Sequence, residues 1–329
     1  MSRQALEDRI CRCIESVVSG VRADSFEALA LDIHRWQAAQ GGVVAALVDG
    51  QVGHWREIPR VPVGLFKELN VGNIKSPAVT FHTSGTTSGR RGAHHLRSTT
   101  IYDYGAIVWF RRCVPQAPRQ ILALLSDPSE VPDSSLSYMV SLFGHVTWHV
   151  RDGVLDRDSL SSELARSRDP FFVATTAFAL SEWLDNNPPP LPARSCLMVT
   201  GGFKGRIHKI DHQILYERAR QVLEPDEIRC EYGMSELISQ LWGSPNEPYR
   251  GPPWVHIVAV DPATGEHLPP EVPGQLCFYD LCNLDSSLAI ETLDEGIVHG
   301  DGSVTLIGRL SGAPHRGCSL AIEEGWEDR

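Results

Sequence analysis

The segment from residue 83 to residue 92 has the residue types and spacing that bind phosphate. It is a run of hydroxyl residues and glycines that ends on two arginines, Thr83-Ser84-Gly85-Thr86-Thr87-Ser88-Gly89-Arg90-Arg91-Gly92. Glycine lets successive backbone N–H groups converge, hydroxyls add donors, and a guanidinium binds two phosphate oxygens at once. The composition therefore predicts a polyphosphate cradle. It is not a Walker A sequence, and a flexible polar surface loop is the alternative.

The elements that would position this segment are helices and a short strand. Residues 78–81 are apolar and β-prone, so the segment is expected to begin where a strand ends. Apolar residues at helical spacing predict helices over residues 3–19 and 24–40, the second with Asp24 or Ser25 as its N-cap. The chain is thus expected to open with helices.

Further along the chain, strands and helices alternate before the pattern becomes β-rich. Strands are predicted over residues 120–125, 145–150, 171–174 and 195–199, and helices over 134–143, 178–184 and 205–222. Hairpins are predicted after that, with strands over residues 254–260, 274–279 and 303–307. We therefore predict a layered α/β fold in three parts: a helical part over residues 1–70, an α/β core over 71–253, and a β-rich subdomain over 254–329.

The composition excludes several classes of protein. The chain has 329 residues, 42% of them hydrophobic, with 41 acidic against 30 basic residues and a net charge of -11, which argues against a nucleic-acid-binding surface. The first ten residues lack the apolar region of a signal peptide, and no later stretch is long enough to span a membrane, so a soluble, cytoplasmic protein is predicted. Eight cysteines without CxxC pairing fit reduced thiols better than disulfides or a zinc site.

Five further motifs follow in the chain. They are Thr200-Gly201-Gly202-Phe203-Lys204, Glu231-Tyr232-Gly233-Met234-Ser235-Glu236, Thr292-Leu293-Asp294, Gly308-Arg309 and Arg316-Gly317-Cys318-Ser319. In this order the set resembles the core motifs of the adenylate-forming superfamily of acyl-CoA synthetases, adenylation domains and luciferases. Residues 26–40 and 58–67, with the Gly-Gly-Phe-Lys and Arg-Gly-Cys-Ser sequences, resemble more narrowly the LuxE-like acyl-protein synthetases. The resemblance implies the fold of the superfamily's large N-terminal domain.

The resemblance also implies that the chain activates a carboxylic acid with ATP and Mg²⁺. The acid attacks the α-phosphorus of ATP, so cationic groups and a metal must stabilise two anions that meet. The residues implied to wrap the β- and γ-phosphates are Thr83, Ser84, Gly85, Thr86 and Thr87. Arg91 stands where the superfamily usually has lysine, which keeps the charge and adds planar donors. Glu236 corresponds to the carboxylate that holds magnesium.

Four other positions are implied to bind the nucleoside. Tyr232, followed by Gly233, corresponds to the tyrosine that stacks on adenine. Asp294 corresponds to the acceptor of both ribose hydroxyls, and Arg309 to the arginine near the ribose and the α-phosphate. The structural alternatives are core packing for the tyrosine, a turn for the aspartate and, for Glu236, a solvated position at the start of a helix.

The acid is implied to bind close to a second glycine pair. Gly201 and Gly202 would let the acyl group and adenine approach the backbone, and Lys204 would neutralise carboxylate or phosphate unless it is solvated. His94 and His95 are expected to line the entrance. The expected apolar lining of the acyl pocket includes Trp109, Phe110, Tyr138, Phe143, Trp148 and Met234.

The C-terminal segment raises the question of the acyl acceptor. Superfamily members usually continue into a small domain that brings a catalytic lysine over the site, and this chain is expected to lack it. In the LuxE-like family a cysteine near the C-terminus accepts the acyl group, and Cys318 stands near Arg316, whose guanidinium favours a thiolate nucleophile. The alternatives are a packed cysteine and a phosphopantetheine thiol on a separate carrier.

We therefore predict an acid–thiol ligase that forms an acyl-adenylate and passes the acyl group to a thiol. The expected partners are a carboxylic acid and an acyl carrier protein or another acyl-accepting or acyl-reducing protein. An acyl- or aryl-CoA ligase completed by a partner chain is one alternative. A nucleotide- or acyl-binding subunit without catalytic activity is the other.

Overall fold

The computed structural model describes residues 1–21, 24–83, 91–201 and 212–310, which fold into two compact units. The first unit comprises Met1–Gly105, Met234–Ser239 and the described residues from Gly251 onward, and the second comprises Ala106–Gly233 and Gln240–Arg250. The short segment 234–239 thus belongs to the first unit, although the residues on both sides of it belong to the second. The three-part division drawn from the sequence stays a prediction.

The helices and strands follow in chain order. The helices are α1 (Arg3–Ser19), α2 (Phe26–Ala39), α3 (Gly42–Leu47), α4 (Thr100–Cys113), α5 (Ser135–Ser141), α6 (Arg157–Arg166), α7 (Ala177–Leu184) and α8 (His212–Leu223). The strands are β1 (Val61–Pro62), β2 (Val79–His82), β3 (Ala93–Leu96), β4 (Gln120–Ser126), β5 (His145–Arg151), β6 (Val154–Leu155), β7 (Phe172–Thr176), β8 (Cys196–Thr200), β9 (Glu227–Tyr232), β10 (Leu241–Gly243), β11 (Val255–Val260), β12 (Pro273–Asp280), β13 (Ala289–Val298) and β14 (Val304–Arg309). Two short 3-10 helices cover Trp55–Glu57 and Val63–Lys67.

The first unit is built on a five-stranded sheet of order β1-β13-β12-β11, with β14 paired to β13. Its long strands are antiparallel, and the register places Asp294 of β13 opposite Arg309 of β14. Strands β2 and β3 form a separate antiparallel hairpin. Helix α1 buries the apolar side chains that recur at helical spacing, Leu6, Ile10 and Ile14. The sheet carries the two residues that the sequence analysis assigns to the ribose, Asp294 and Arg309.

The second unit is built on a seven-stranded sheet of order β10-β9-β8-β7-β4-β5-β6. The strands from β9 to β5 in this order are parallel, and β4 and β8 are apolar and buried almost throughout, as expected for strands covered on both faces. Parallel strands present their carboxyl ends at one edge of the sheet. The register pairs Thr200 of β8 with Glu231 of β9, so Gly201 and Tyr232 follow neighbouring positions at this edge.

The predicted α/β class is confirmed, but helices α4 and α6 and strands β9 and β13 were not predicted, and other elements differ at their ends. Helix α1 covers the predicted residues 3–19. Ser25, and not Asp24, caps α2, because its hydroxyl accepts a hydrogen bond of 3.2 Å from the N–H of Ala28. The start of the helix predicted over 205–222 lies outside the described residues. Among the helices in the described part of the chain, none is long and apolar enough to cross a membrane.

Candidate nucleotide site

The predicted phosphate segment starts and ends on the β2–β3 hairpin. The N–H of Thr83 donates to the carbonyl of Gly92 at 2.9 Å, and the N–H of Gly92 donates back to the hydroxyl of Thr83 at 2.9 Å. Arg91 Nε donates to the carbonyl of Thr83 at 2.7 Å. These bonds hold the two ends of the segment together. The other predicted phosphate-binding residues, Ser84, Gly85, Thr86 and Thr87, lie outside the described residues.

The segment that carries Glu236 reaches the same hairpin. The hydroxyl of Ser235 donates to the carbonyl of His82 at 3.1 Å, and Arg91 Nη2 lies 3.4 Å from that same oxygen. One carbonyl at the end of β2 therefore accepts from both the arginine and the side chain of the residue that precedes the glutamate. Glu236 is only 7% exposed and lies in no helix, so its interpretation as a solvated helix-start residue is wrong.

The backbone of this segment is held by two buried polar side chains, of which the sequence analysis singled out only His94, and for another role. His94 Nδ1 donates to the carbonyl of Ser235 at 2.7 Å, and Asn283 Nδ2 donates to the carbonyl of Glu236 at 2.9 Å. His94 is 1% exposed, and burial lowers its pKa to about 4, so the ring is neutral at physiological pH. The expectation that His94 lines an entrance is therefore wrong, because the ring is enclosed in the first unit.

The far end of the segment is fixed by Asp280. Its carboxylate accepts hydrogen bonds from the N–H and the hydroxyl of Ser239, at 2.8 and 2.9 Å, and from the N–H of Cys282 at 2.9 Å. The indole of Trp254 also donates to the hydroxyl of Ser239, at 2.9 Å. Burial raises the pKa of Asp280 to about 6, while the bonds from Ser239 act in the opposite direction. Both ends of the Glu236 segment are thus tied to the first unit.

The predicted ribose residues pair with each other across the edge of the sheet. Arg309 Nε donates to Asp294 Oδ1 at 3.0 Å, and the two residues are direct partners in the β13–β14 register. The arginine side chain is 59% exposed, whereas the aspartate is largely buried. Asp294 lies within β13, so its interpretation as a turn residue is wrong.

The second unit carries the predicted adenine residues at the carboxyl ends of β8 and β9. Thr200 Oγ1 donates a short hydrogen bond to the carboxylate of Glu231, which is buried. Burial raises the pKa of Glu231 to about 7. A Cβ on Gly233 would lie 2.5 Å from Glu231 Oε1, so only glycine fits beside this carboxylate. Tyr232 is half-buried and meets the ring of Tyr249 edge-on, with centroids 6.2 Å apart.

The remaining predicted residues divide into described and undescribed ones. Gly201 ends β8 with a φ of 73°, a backbone conformation that favours glycine. Gly202, Lys204 and Cys318 lie outside the described residues. Of the expected acyl-pocket lining, Phe110 stacks on Phe143 with ring centroids 3.9 Å apart and also packs against Phe172 and Trp242. Phe110 itself is buried, and its place in the lining of an acyl pocket stays a prediction.

The donor set fits a magnesium ion that is shared with a nucleotide. Among the described residues, no group of three or more His, Cys, Asp and Glu side chains is arranged to hold a metal by itself. Mg²⁺ in phosphate-transfer sites usually takes one or two carboxylates and completes its coordination with phosphate oxygens and water. Glu236 matches that requirement as a single carboxylate on a fixed backbone.

Comparisons with known proteins place the fold. No family model and no curated protein matches the chain. A solved structure of O-succinylbenzoate coenzyme A synthetase (MenE) from Bacillus subtilis with ATP and magnesium is 16% identical over 72% of this chain and 51% of that chain, with a TM-score of 0.52. A long-chain-fatty-acid-CoA ligase (FadD1) from Archaeoglobus fulgidus is 11% identical over 72% of this chain and 52% of that chain, with a TM-score of 0.52. The chain spans about half the length of the synthetases it matches. It has the fold of the N-terminal domain of adenylate-forming enzymes.

Proposed function

We propose that this chain activates a carboxylic acid as an acyl-adenylate, with ATP and Mg²⁺, and passes the acyl group to a thiol. The observation that carries the proposal is the meeting of three elements at the end of β2. The end of β2 is contacted by Arg91, which donates to the carbonyls of His82 and Thr83, and by the hydroxyl of Ser235, the residue before Glu236, which donates to the carbonyl of His82. Triphosphate binding needs donors, a cation and a metal-binding carboxylate in one place.

Different residues of the first unit would bind the phosphates, the magnesium and the ribose. The hydroxyl- and glycine-rich segment from Thr83 would bind the β- and γ-phosphates, with Arg91 adding positive charge at its end. Glu236 would hold the magnesium, which supplies a Lewis acid for the phosphate oxygens. Asp294 would accept from the ribose hydroxyls, and the exposed guanidinium of Arg309 would turn from it toward the α-phosphate. Preorganised charge of this kind stabilises the transition state.

The second unit would bind adenine and the acid. In the proposal Tyr232 stacks on the base, and the glycines at 201, 202 and 233 allow the backbone to approach it closely. Lys204 would neutralise the incoming carboxylate. We propose a fatty or aromatic acid as the substrate class, by analogy with the O-succinylbenzoate and long-chain-fatty-acid synthetases of similar fold.

The acceptor completes the proposal. We place the chain with the LuxE-like acyl-protein synthetases on the motif order and on the Arg-Gly-Cys-Ser sequence. The acyl group would pass to Cys318, to the phosphopantetheine of a carrier protein or to CoA. A thiolate is the nucleophile in each case, and AMP leaves from the mixed anhydride as the thioester forms.

The test of activation is ATP–pyrophosphate exchange with a panel of fatty, aromatic and hydroxy acids in the presence of Mg²⁺. We expect exchange with one class of acid, and its loss when Mg²⁺ is chelated. ATP binding without exchange for any acid would contradict the proposal and would support a binding subunit without catalytic activity.

The test of the acceptor is the intact mass of the protein after incubation with ATP and the active acid. A gain equal to the acyl group that disappears in Cys318→Ser identifies that thiol. A gain that persists in Cys318→Ser eliminates it, and transfer only to an added carrier or to CoA assigns those acceptors.

A further inference from the structure

We propose that His94, Ser286 and Asn283 form a clamp whose role is to aim the carboxylate of Glu236 at the metal. This inference rests on the proposed function, because it concerns how the magnesium-binding glutamate is positioned. The three residues, called here the carbonyl clamp, lie on β3 and on the loop between β12 and β13. They are positioning residues and do not touch the metal or the substrate.

The clamp holds the two peptide groups that flank the Cα atom of Glu236. His94 binds the carbonyl of Ser235, which belongs to the peptide plane before this Cα, and Asn283 binds the carbonyl of Glu236, which belongs to the plane after it. Because peptide groups are planar, fixing both carbonyls fixes the φ and ψ angles of the glutamate. The direction in which its side chain leaves the backbone is then set.

Ser286 joins the two arms of the clamp. Its one hydroxyl proton has two acceptors within reach, Asn283 Oδ1 at 2.6 Å and the unprotonated Nε2 of the neutral His94 ring at 2.9 Å. All three side chains are buried, with Asn283 fully enclosed. Breaking a hydrogen bond between buried groups is costly, because no water replaces the lost partner. The hydroxyl of Ser286 therefore couples His94 to Asn283.

The loop that carries two of these residues is fixed by other contacts. Gln37 Nε2 donates to the carbonyls of Asn283 and Leu284, at 2.8 and 3.0 Å, and Gln37 Oε1 accepts from the N–H of Leu288. Arg3 forms a two-point ion pair with Asp285. The backbone of the loop thus has its own anchors, and the side chains of Asn283 and Ser286 serve the Glu236 segment.

The neighbouring serine provides a matched control. Ser287 is as buried as Ser286, but its hydroxyl donates to the carbonyl of Ala289 within the loop. Ser286→Ala and Ser287→Ala each remove one buried hydroxyl, and only the first removes a member of the clamp. Both substitutions leave a cavity of the same size, so a difference between the two variants reports on the clamp.

The experiment measures Mn²⁺ affinity for the ATP complex of the full chain by electron paramagnetic resonance, beside the melting temperature. We expect Ser286→Ala to weaken Mn²⁺ binding about threefold to tenfold relative to Ser287→Ala, as the loss of one buried hydrogen bond suggests, with similar melting temperatures. Asn283→Asp keeps the bond from Ser286 but places an acceptor against the carbonyl of Glu236, and we expect a larger loss.

The outcomes separate the clamp from the proposed function. Equal Mn²⁺ affinity in the two serine variants, or wild-type affinity in Asn283→Asp, overturns the clamp while wild-type pyrophosphate exchange keeps the proposed function. If Ser286→Ala does not fold, the comparison of Asn283→Asp with the wild type decides the question. Absence of exchange in the wild type overturns the proposed function itself.

Discussion

Two buried glutamates stand five residues apart in one motif and are held in opposite ways. Glu231 lies in the second unit, where its carboxylate is bound by the hydroxyl of Thr200 and its pKa is raised to about 7 by burial. Glu236 lies in the first unit, where its backbone carbonyl and that of Ser235 are bound. Glu231 is thus held through its carboxylate, whereas the segment of Glu236 is held through two backbone carbonyls, which sets the direction in which its side chain leaves the backbone. We therefore propose a structural role for Glu231 and a metal-binding role for Glu236.

The largest expected effect is on the chemistry of Glu236. Glu236→Gln is nearly isosteric and leaves the backbone bonds intact, but it removes the charge that would hold magnesium. We expect pyrophosphate exchange to fall by about 100-fold or more, as for the loss of other electrostatic groups in active sites. Glu266→Gln, at an exposed turn residue, is the control and should keep full exchange. Retention of exchange in Glu236→Gln would show that the assignment is wrong.

The second effect is on the pH dependence of stability through Glu231. Its pKa is raised from the ordinary 4.5 to about 7 in the folded protein. The folded state therefore holds a proton that the unfolded state has lost between these values, and stability falls as pH rises from about 4.5 to 7 and then levels off. The integrated loss is about 3 kcal/mol.

The measurement is urea unfolding of the wild type and Glu231→Gln at pH 5 and pH 8. The glutamine has no charge to bury, so the free energy of unfolding of the variant, compared with that of the wild type, should be higher at pH 8 than at pH 5. The difference between the two proteins removes the background from other acidic groups, Asp280 among them. An identical pH dependence in both proteins would count against a protonated Glu231.

A smaller effect is expected from the contact between Glu231 and Gly233. Gly233→Ala places a methyl group against the carboxylate oxygen and should lower the free energy of unfolding by about 1 to 3 kcal/mol. In a Glu231→Ser background the shorter side chain leaves room, so the same substitution should cost less. The coupling from this double-mutant cycle tests the contact. Additive effects would mean that the glycine is required for another reason.

The sequence predicted the motifs of the candidate site but not the buried contacts that hold the Glu236 segment. Hydroxyls, glycines and arginines near residue 83, and the alternation of strands with helices, are local patterns that physical chemistry can interpret. The clamp is not local, because Ser286 and His94 are 192 residues apart and Asn283 and Glu236 are 47 apart. An Asn-Leu-Asp-Ser-Ser run reads as an exposed loop, and only tertiary packing makes it buried.

The smallest effect on stability is expected at the ion pair of the first unit, where Arg309 and Asp294 meet at 3.0 Å. The arginine side chain is 59% exposed, and an ion pair with an exposed partner contributes little, so Arg309→Gln should change the free energy of unfolding by no more than about 0.5 kcal/mol. The same variant should weaken ATP binding about tenfold, because it removes a cation from the ribose and α-phosphate region. Isothermal titration with ATP measures the affinity, and urea unfolding measures the free energy of unfolding. Arg309→Lys keeps the charge without the planar donors, so its affinity for ATP should lie between those of the wild type and Arg309→Gln. A variant that loses stability but binds ATP normally would make Arg309 a strand-pairing residue and leave Asp294 without its proposed partner at the nucleotide.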